Sequence, residues 1–105
     1  MLRYKRIIIP VVTDGKETIL EILSCPQGKS YRIVSISTAP LSLHYLRVYR
    51  DAEQIVDAAT IIMTTSAPIL PMDIPLSTGQ VCKAGFYNDG ASEAAKPITI
   101  GYKDD

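Results

Sequence analysis

A chain of 105 residues is one domain by length, and it should bury roughly 60–70% of its unfolded surface, enough for a core without metal or disulfide staples. Hydrophobic residues make up 47% and charged residues 21%, which excludes a disordered chain. Eleven basic side chains balance eleven acidic ones, which removes any general attraction to nucleic acid or an anionic membrane and leaves solubility poorly protected by repulsion, as suits a subunit of an assembly.

In chain order, Arg3 to Val12 is β-rich, and its consecutive isoleucines predict a strand covered on both faces. Pro10 has no N–H to give a ladder and marks an edge or a bulge. The apolar run Ile7 to Val12 is too short, and too interrupted, to span a bilayer. Thr13-Asp14-Gly15-Lys16 is a tight-turn signal that predicts a hairpin. Glu17 to Cys25 has a spacing that also fits a helix turn, but it starts after that turn and stops at Cys25-Pro26-Gln27-Gly28, too soon for a typical helix, so a strand is expected.

Tyr31 to Thr38 is a further strand, with Ser35 and Ser37 on a wet face. Leu43 to Arg50 alternates cleanly, with His44, Leu46, Val48 and Arg50 on one side and Leu43, Tyr45, Arg47 and Tyr49 on the other. Asp51-Ala52-Glu53-Gln54 reads either as a turn into a short strand or as a capping box that starts a helix; the β-branched run that follows favours the turn. From Ser66 to Pro75, prolines at 68, 71 and 75 exclude helix and central strand and leave an extended edge. Met72 to Asn88 reads as a hairpin: a proline-marked strand, a turn around Thr78-Gly79-Gln80, and a second strand in which Gly85 marks a close backbone approach. Asn88 to Lys96 is a polar, small-residue loop expected to be exposed and mobile, and Pro97 to Lys103 is the last strand, with Ile98, Ile100 and Tyr102 on one face.

About eight short strands with regular turns and little or no helix predict an all-β fold, an antiparallel jelly-roll-like sandwich spanning 1–105 as a single domain. Candidate chemistry is sparse. Cys25 and Cys82 have no CxxC spacing, which argues against a metal site, and with no secretory signal they are expected to be free, partly buried thiols. His44 is the sole histidine, so any acid–base or nucleophile scheme passes through it; a Cys82–His44 pair with Asp57 or Asp73 is conceivable. Neither cysteine sits in a catalytic signature, and a partly buried strand histidine is the expectation. No calcium loop, phosphate cradle or dinucleotide motif is present, so no enzyme activity and no cofactor are expected. Tyr45, Arg47 and Tyr49, with Arg32 from a neighbouring strand, form either a wet outer face or an interface patch. Arg3, Lys5 and Arg6 crowd the start and Asp104-Asp105 the end, either as solvated termini or as a basic arm that meets a neighbouring subunit's acidic tail.

Leu46 to Asp51, Ile74 to Val81 and Pro97 to Tyr102 together resemble passages of small jelly-roll virion proteins of tailed bacteriophages, such as head decoration proteins. The resemblance covers roughly the C-terminal two-thirds. It implies a structural, homo-oligomeric role without catalysis, trimeric by analogy, in a virion or inside a cell. The expected contacts are Arg3, Lys5 and Arg6, then Tyr45, Arg47 and Tyr49, then the edge prolines Pro68, Pro71 and Pro75. No nucleic acid or membrane partner is expected. A small sugar- or peptide-binding module is the alternative.

Overall fold

The computed structural model describes residues 2–38, 43–60, 69–90 and 95–104. Eight strands follow one another: β1 (Arg3–Ile9), β2 (Glu17–Ser24), β3 (Tyr31–Ser37), β4 (His44–Arg50), β5 (Glu53–Ala59), β6 (Ile69–Leu76), β7 (Val81–Asn88) and β8 (Lys96–Asp104). They form two four-stranded antiparallel sheets, ordered β1-β8-β3-β6 and β2-β7-β4-β5, and no α-helix appears among the described residues. Six of the seven connections cross from one sheet to the other; only β4 and β5 are sequence neighbours that also pair. This is the all-β sandwich of the sequence reading, wound as a jelly roll.

The two sheets hide one shared core. Ile9, Ile33, Ile36, Ile98 and Ile100 from the first sheet meet Ile22, Leu46, Val48 and Phe86 from the second. Each such side chain contributes roughly 1.5–3 kcal/mol of burial, so a few dominate what holds the sheets together. Alternation on β4 is borne out: His44, Leu46 and Val48 are buried while Tyr45 and Arg47 lie half-exposed outside. Arg50 closes that series at the rim, where it donates to the Pro75 carbonyl of the other sheet at 3.2 Å.

Two expected hairpins are instead crossings. The turn at Ser77–Gln80 is real: the Gln80 N–H donates to the Ser77 carbonyl at 3.0 Å, and Gly79 has φ 84°. Yet β6 pairs with β3, and β7 pairs with β2 and β4. The turn docks on the β2–β3 connection, through Gly79 N–H to the Cys25 carbonyl at 3.0 Å and the Thr78 hydroxyl to the Lys29 carbonyl at 2.8 Å. It therefore carries the chain from one layer to the other. A turn signal specifies reversal; whether the reversed strand lies beside its predecessor or across the core depends on partners far away in sequence. The Asp14-Gly15 turn behaves in the same way, closing with Lys16 N–H to the Thr13 carbonyl at 2.9 Å between strands of different sheets. Among the described residues the one true hairpin turn is Asp51-Ala52, where Asp51 takes φ 53° and the strand reading prevails over the helix.

Strand parity also departs from the simple pattern. A register shift between Ile33 and Ser35 lets Tyr31, Ile33 and Ile36 all face the core. Ile8 is 57% exposed rather than covered, because β1 is an edge strand with no layer outside it. The polar segment 88–96 is anchored at both ends: Asn88 and Lys96 are buried strand residues.

Candidate interaction surfaces

The outer face of the β2-β7-β4-β5 sheet is organised by Arg47. Its neighbour across β7 is Gly85, and beyond that Ile19 on β2. A Cβ on Gly85 would lie 1.8 Å from the Thr18 carbonyl oxygen, so the backbones approach closely here, as the sequence suggested. Arg47 lies over β7 with its guanidinium 4.6 Å from the Tyr87 ring centre. Its Nη1 donates to Glu17 Oε2 at 2.8 Å and its Nε to Asp57 Oδ1 at 3.3 Å. The Tyr49 hydroxyl donates to the same Glu17 oxygen at 2.9 Å, and the Tyr45 and Tyr87 rings sit 6.3 Å apart. The hydrogen bond to Glu17 raises the Arg47 pKa against the opposing effect of burial, with Asp57 adding to it. Burial raises the Tyr49 pKa first, and the bond to Glu17 adds to it.

The sequence identified Tyr45, Arg47 and Tyr49 on this face but not Tyr87, Glu17 or Asp57, whose placement depends on strand order. Arg32 does not join them. It sits on β3 in the other sheet and pairs with Asp73.

The three basic residues at the start of the chain do not share one environment. Arg3 turns inward, donates to Asp104 Oδ1 at 2.7 Å, and stacks over Tyr31 and Tyr102, whose rings meet edge to face at 5.3 Å. The arm-to-tail pair is thus made within the chain. Lys5 and Arg6 are exposed and form no ion pair among the described residues. An apolar ridge lies on the Arg6 face of the strand: Leu2, Tyr4 and Ile8 are 48%, 67% and 57% exposed, with Arg6 between Tyr4 and Ile8.

On the opposite side of the sandwich, the free edges of β5 and β6 flank a groove of about 320 Å³ lined by Ile55, Val56, Leu70, Met72 and Ile74. Pro71, Asp73 and Pro75 stand exposed on the outer face of β6. Pro68 lies outside the described residues.

The conceivable catalytic set is not brought together. His44 is buried with its ring against Phe86, 6.4 Å between centres, and pairs across with Asn88, while Cys82 pairs with Arg50. Six strand residues, roughly 20 Å, separate them along the sheet. Burial pushes the Cys82 thiol up to about 12, which keeps it protonated at neutral pH. Asp57 and Asp73 are exposed strand residues, on β5 and β6 in different sheets. Both cysteines are free and buried, and the Cys25 thiol donates to the Lys29 carbonyl at 3.1 Å. At the end of the sandwich where β4 and β8 begin, buried Thr38 donates to the Pro97 carbonyl at 3.0 Å and buried Asn88 to the Val12 carbonyl at 2.9 Å. Lys96 is buried at the same end, and its burial lowers its pKa. Among the described residues no three His, Cys, Asp or Glu side chains converge as a metal site would need, and no helix is long and apolar enough to cross a membrane.

No protein-family model matches the sequence, and no curated protein matches it. The fold is similar to the nucleoplasmin-like N-terminal domain of Drosophila FKBP39, with a TM-score of 0.53 over 100% of this chain and 91% of that one, at 17% sequence identity. That match overturns the resemblance to phage head decoration proteins, which rested on strand passages that many sandwiches contain. The virion setting and the trimer inferred from the phage analogy lose their basis with it.

Proposed function

We propose that this chain is a non-enzymatic interaction module that works by assembling with copies of itself through its outer surfaces. The observation that carries the reading is the ridge of Leu2, Tyr4 and Ile8, left against water beside a core that is otherwise complete. Single exposed apolar residues are ordinary, but Leu2, Tyr4 and Ile8 share one face of the β1 segment, with Arg6 set between Tyr4 and Ile8, and such a cluster is of the kind that marks a contact. Sharing a fold with a nucleoplasmin-like domain supports the reading.

Contacts would draw on Lys5 and Arg6 beside the ridge, on Pro71 and Pro75 along the β6 edge, and on the face of Tyr45, Arg47 and Tyr49. Arg3 would serve from within, by fixing β1 to β8. Sedimentation velocity across a wide concentration range tests the reading. A discrete assembly of fixed stoichiometry is expected, and a monomer at every concentration would overturn it.

A further inference from the structure

Ridge and groove lie on opposite sides of the molecule. β1 and β6 are the two edges of one sheet, and β2 and β5 the two edges of the other. The β1 side presents Leu2, Tyr4 and Ile8 with Lys5 and Arg6, which are exposed and have no ion pair among the described residues. The β5–β6 side presents Ile55, Val56, Leu70 and Met72, half-buried around the groove, with three carboxylates at its border. Glu53, Asp57 and Asp73 each bind an arginine of their own chain, yet their side chains remain 62%, 47% and 76% exposed. A carboxylate accepts several hydrogen bonds at once, so each can receive a second cation.

Like sides cannot meet comfortably. Two β1 edges would bring Lys5 and Arg6 against themselves, and two β5–β6 edges would set carboxylate–arginine pairs against their like with no further cation between them. Unlike sides match in both respects: exposed apolar ridge to apolar groove, and cations with no ion pair among the described residues to carboxylates that stay largely exposed.

Resting on the self-assembly proposed above, we infer that the contact between copies is head-to-tail: the β1 ridge of one copy seats in the β5–β6 groove of the next. Because the two surfaces differ and lie on opposite sides, such a contact is heterologous, and its repetition builds a closed ring or an open filament rather than an isolated pair. The cations choose the partner and its register, while the apolar contact supplies most of the affinity.

Charge reversal at both surfaces tests the inference. Lys5→Glu alone and Asp73→Lys alone should each weaken assembly by about tenfold, read by sedimentation velocity, while the two reversals in one chain should recover most of that loss. An unchanged denaturation midpoint for each variant in dilute solution shows that the monomer still folds. If the wild-type chain assembles but the single reversals leave assembly untouched, or the combination is as weak as the two losses added, the head-to-tail contact is wrong and self-assembly stands. If Lys5→Glu strengthens assembly and Asp73→Lys does nothing, the β1 edges meet one another and the inference fails. If the wild-type chain never assembles, the failure lies in the proposed function itself. As an uncharged check, Ile8→Ser and Met72→Ser should each weaken assembly, and the double variant should be no worse than the weaker single one.

Discussion

β1 and β7 make an instructive pair. β1 gathers its apolar side chains into Ile7-Ile8-Ile9 behind the charges Arg3, Lys5 and Arg6, whereas β7 spreads Val81, Cys82, Ala84, Phe86 and Tyr87 around Lys83 and Asn88. Burial separates the two far more than apolar content does. β7 lies between β2 and β4, and its Cys82, Ala84, Gly85, Phe86 and Asn88 are all buried. β1 has one neighbour, β8, and leaves Tyr4 and Ile8 in water. Place in the sheet, rather than hydrophobicity, decides what a strand buries. Apolar residues beyond what an edge position can hide are then available for a partner.

If that contrast holds, changes on β7 should alter folding and changes on β1 should alter association. The largest expected effect is at Cys82. Burial raises its thiol from 9.0 to about 12, so the folded chain keeps a proton that the unfolded chain sheds from about pH 9. Its contribution is therefore complete below pH 9 and is lost as pH rises toward 12, a loss of about 4 kcal/mol for a gap of that size. Denaturant midpoints taken between pH 7 and pH 11 should fall more steeply for the wild-type chain than for Cys82→Ala; equal slopes would show that β7 is less sealed than its burial suggests. Next comes Gly85→Ala. The added methyl would meet the fixed Thr18 backbone, and a cost of about 3 kcal/mol in urea unfolding is expected.

Arg47→Ala sharpens the comparison from the outer side of β7. It removes two partly exposed ion pairs and the cover over Tyr87, and should lower stability by only about 0.5–1 kcal/mol, read in the same titration. The smallest effect on folding belongs to β1. Tyr4→Ser with Ile8→Ser should shift the dilute-solution midpoint by no more than about 0.5 kcal/mol, yet weaken assembly clearly in sedimentation. A large fall in monomer stability would mean that these side chains serve the fold and not a partner.

Much of the fold was legible in residue order. Period-two alternation located β4 and β8, Asp51-Ala52 located the true hairpin turn, and Gly85 was read correctly as a close approach. Each of these signals is local. What could not be read was how strands choose partners. Thr78-Gly79-Gln80 turned the chain but did not say that β7 would join β2 and β4. The same blindness misplaced Arg32 beside the tyrosines when β3 lies in the opposite layer. It also hid Glu17, Asp57 and Tyr87, which reach Arg47 only because β2-β7-β4-β5 is the order. The register shift at Ile33–Ser35 left no signal in composition, since apolar residues stand on both sides of it. Arg3 was read as part of a solvated terminus or of an arm for a neighbouring subunit, although its antiparallel match to β8 ties it to Asp104 of its own chain.

The place of β8 has a kinetic consequence. It lies between β1 and β3, so the first strand has nothing to pair with until the last residues of the domain are available. During synthesis, then, the isoleucine-rich opening of the chain must wait unpaired while the rest emerges. Refolding should be slow for so small a protein, on the order of milliseconds to seconds, because the contact that closes the sheet spans nearly the whole length.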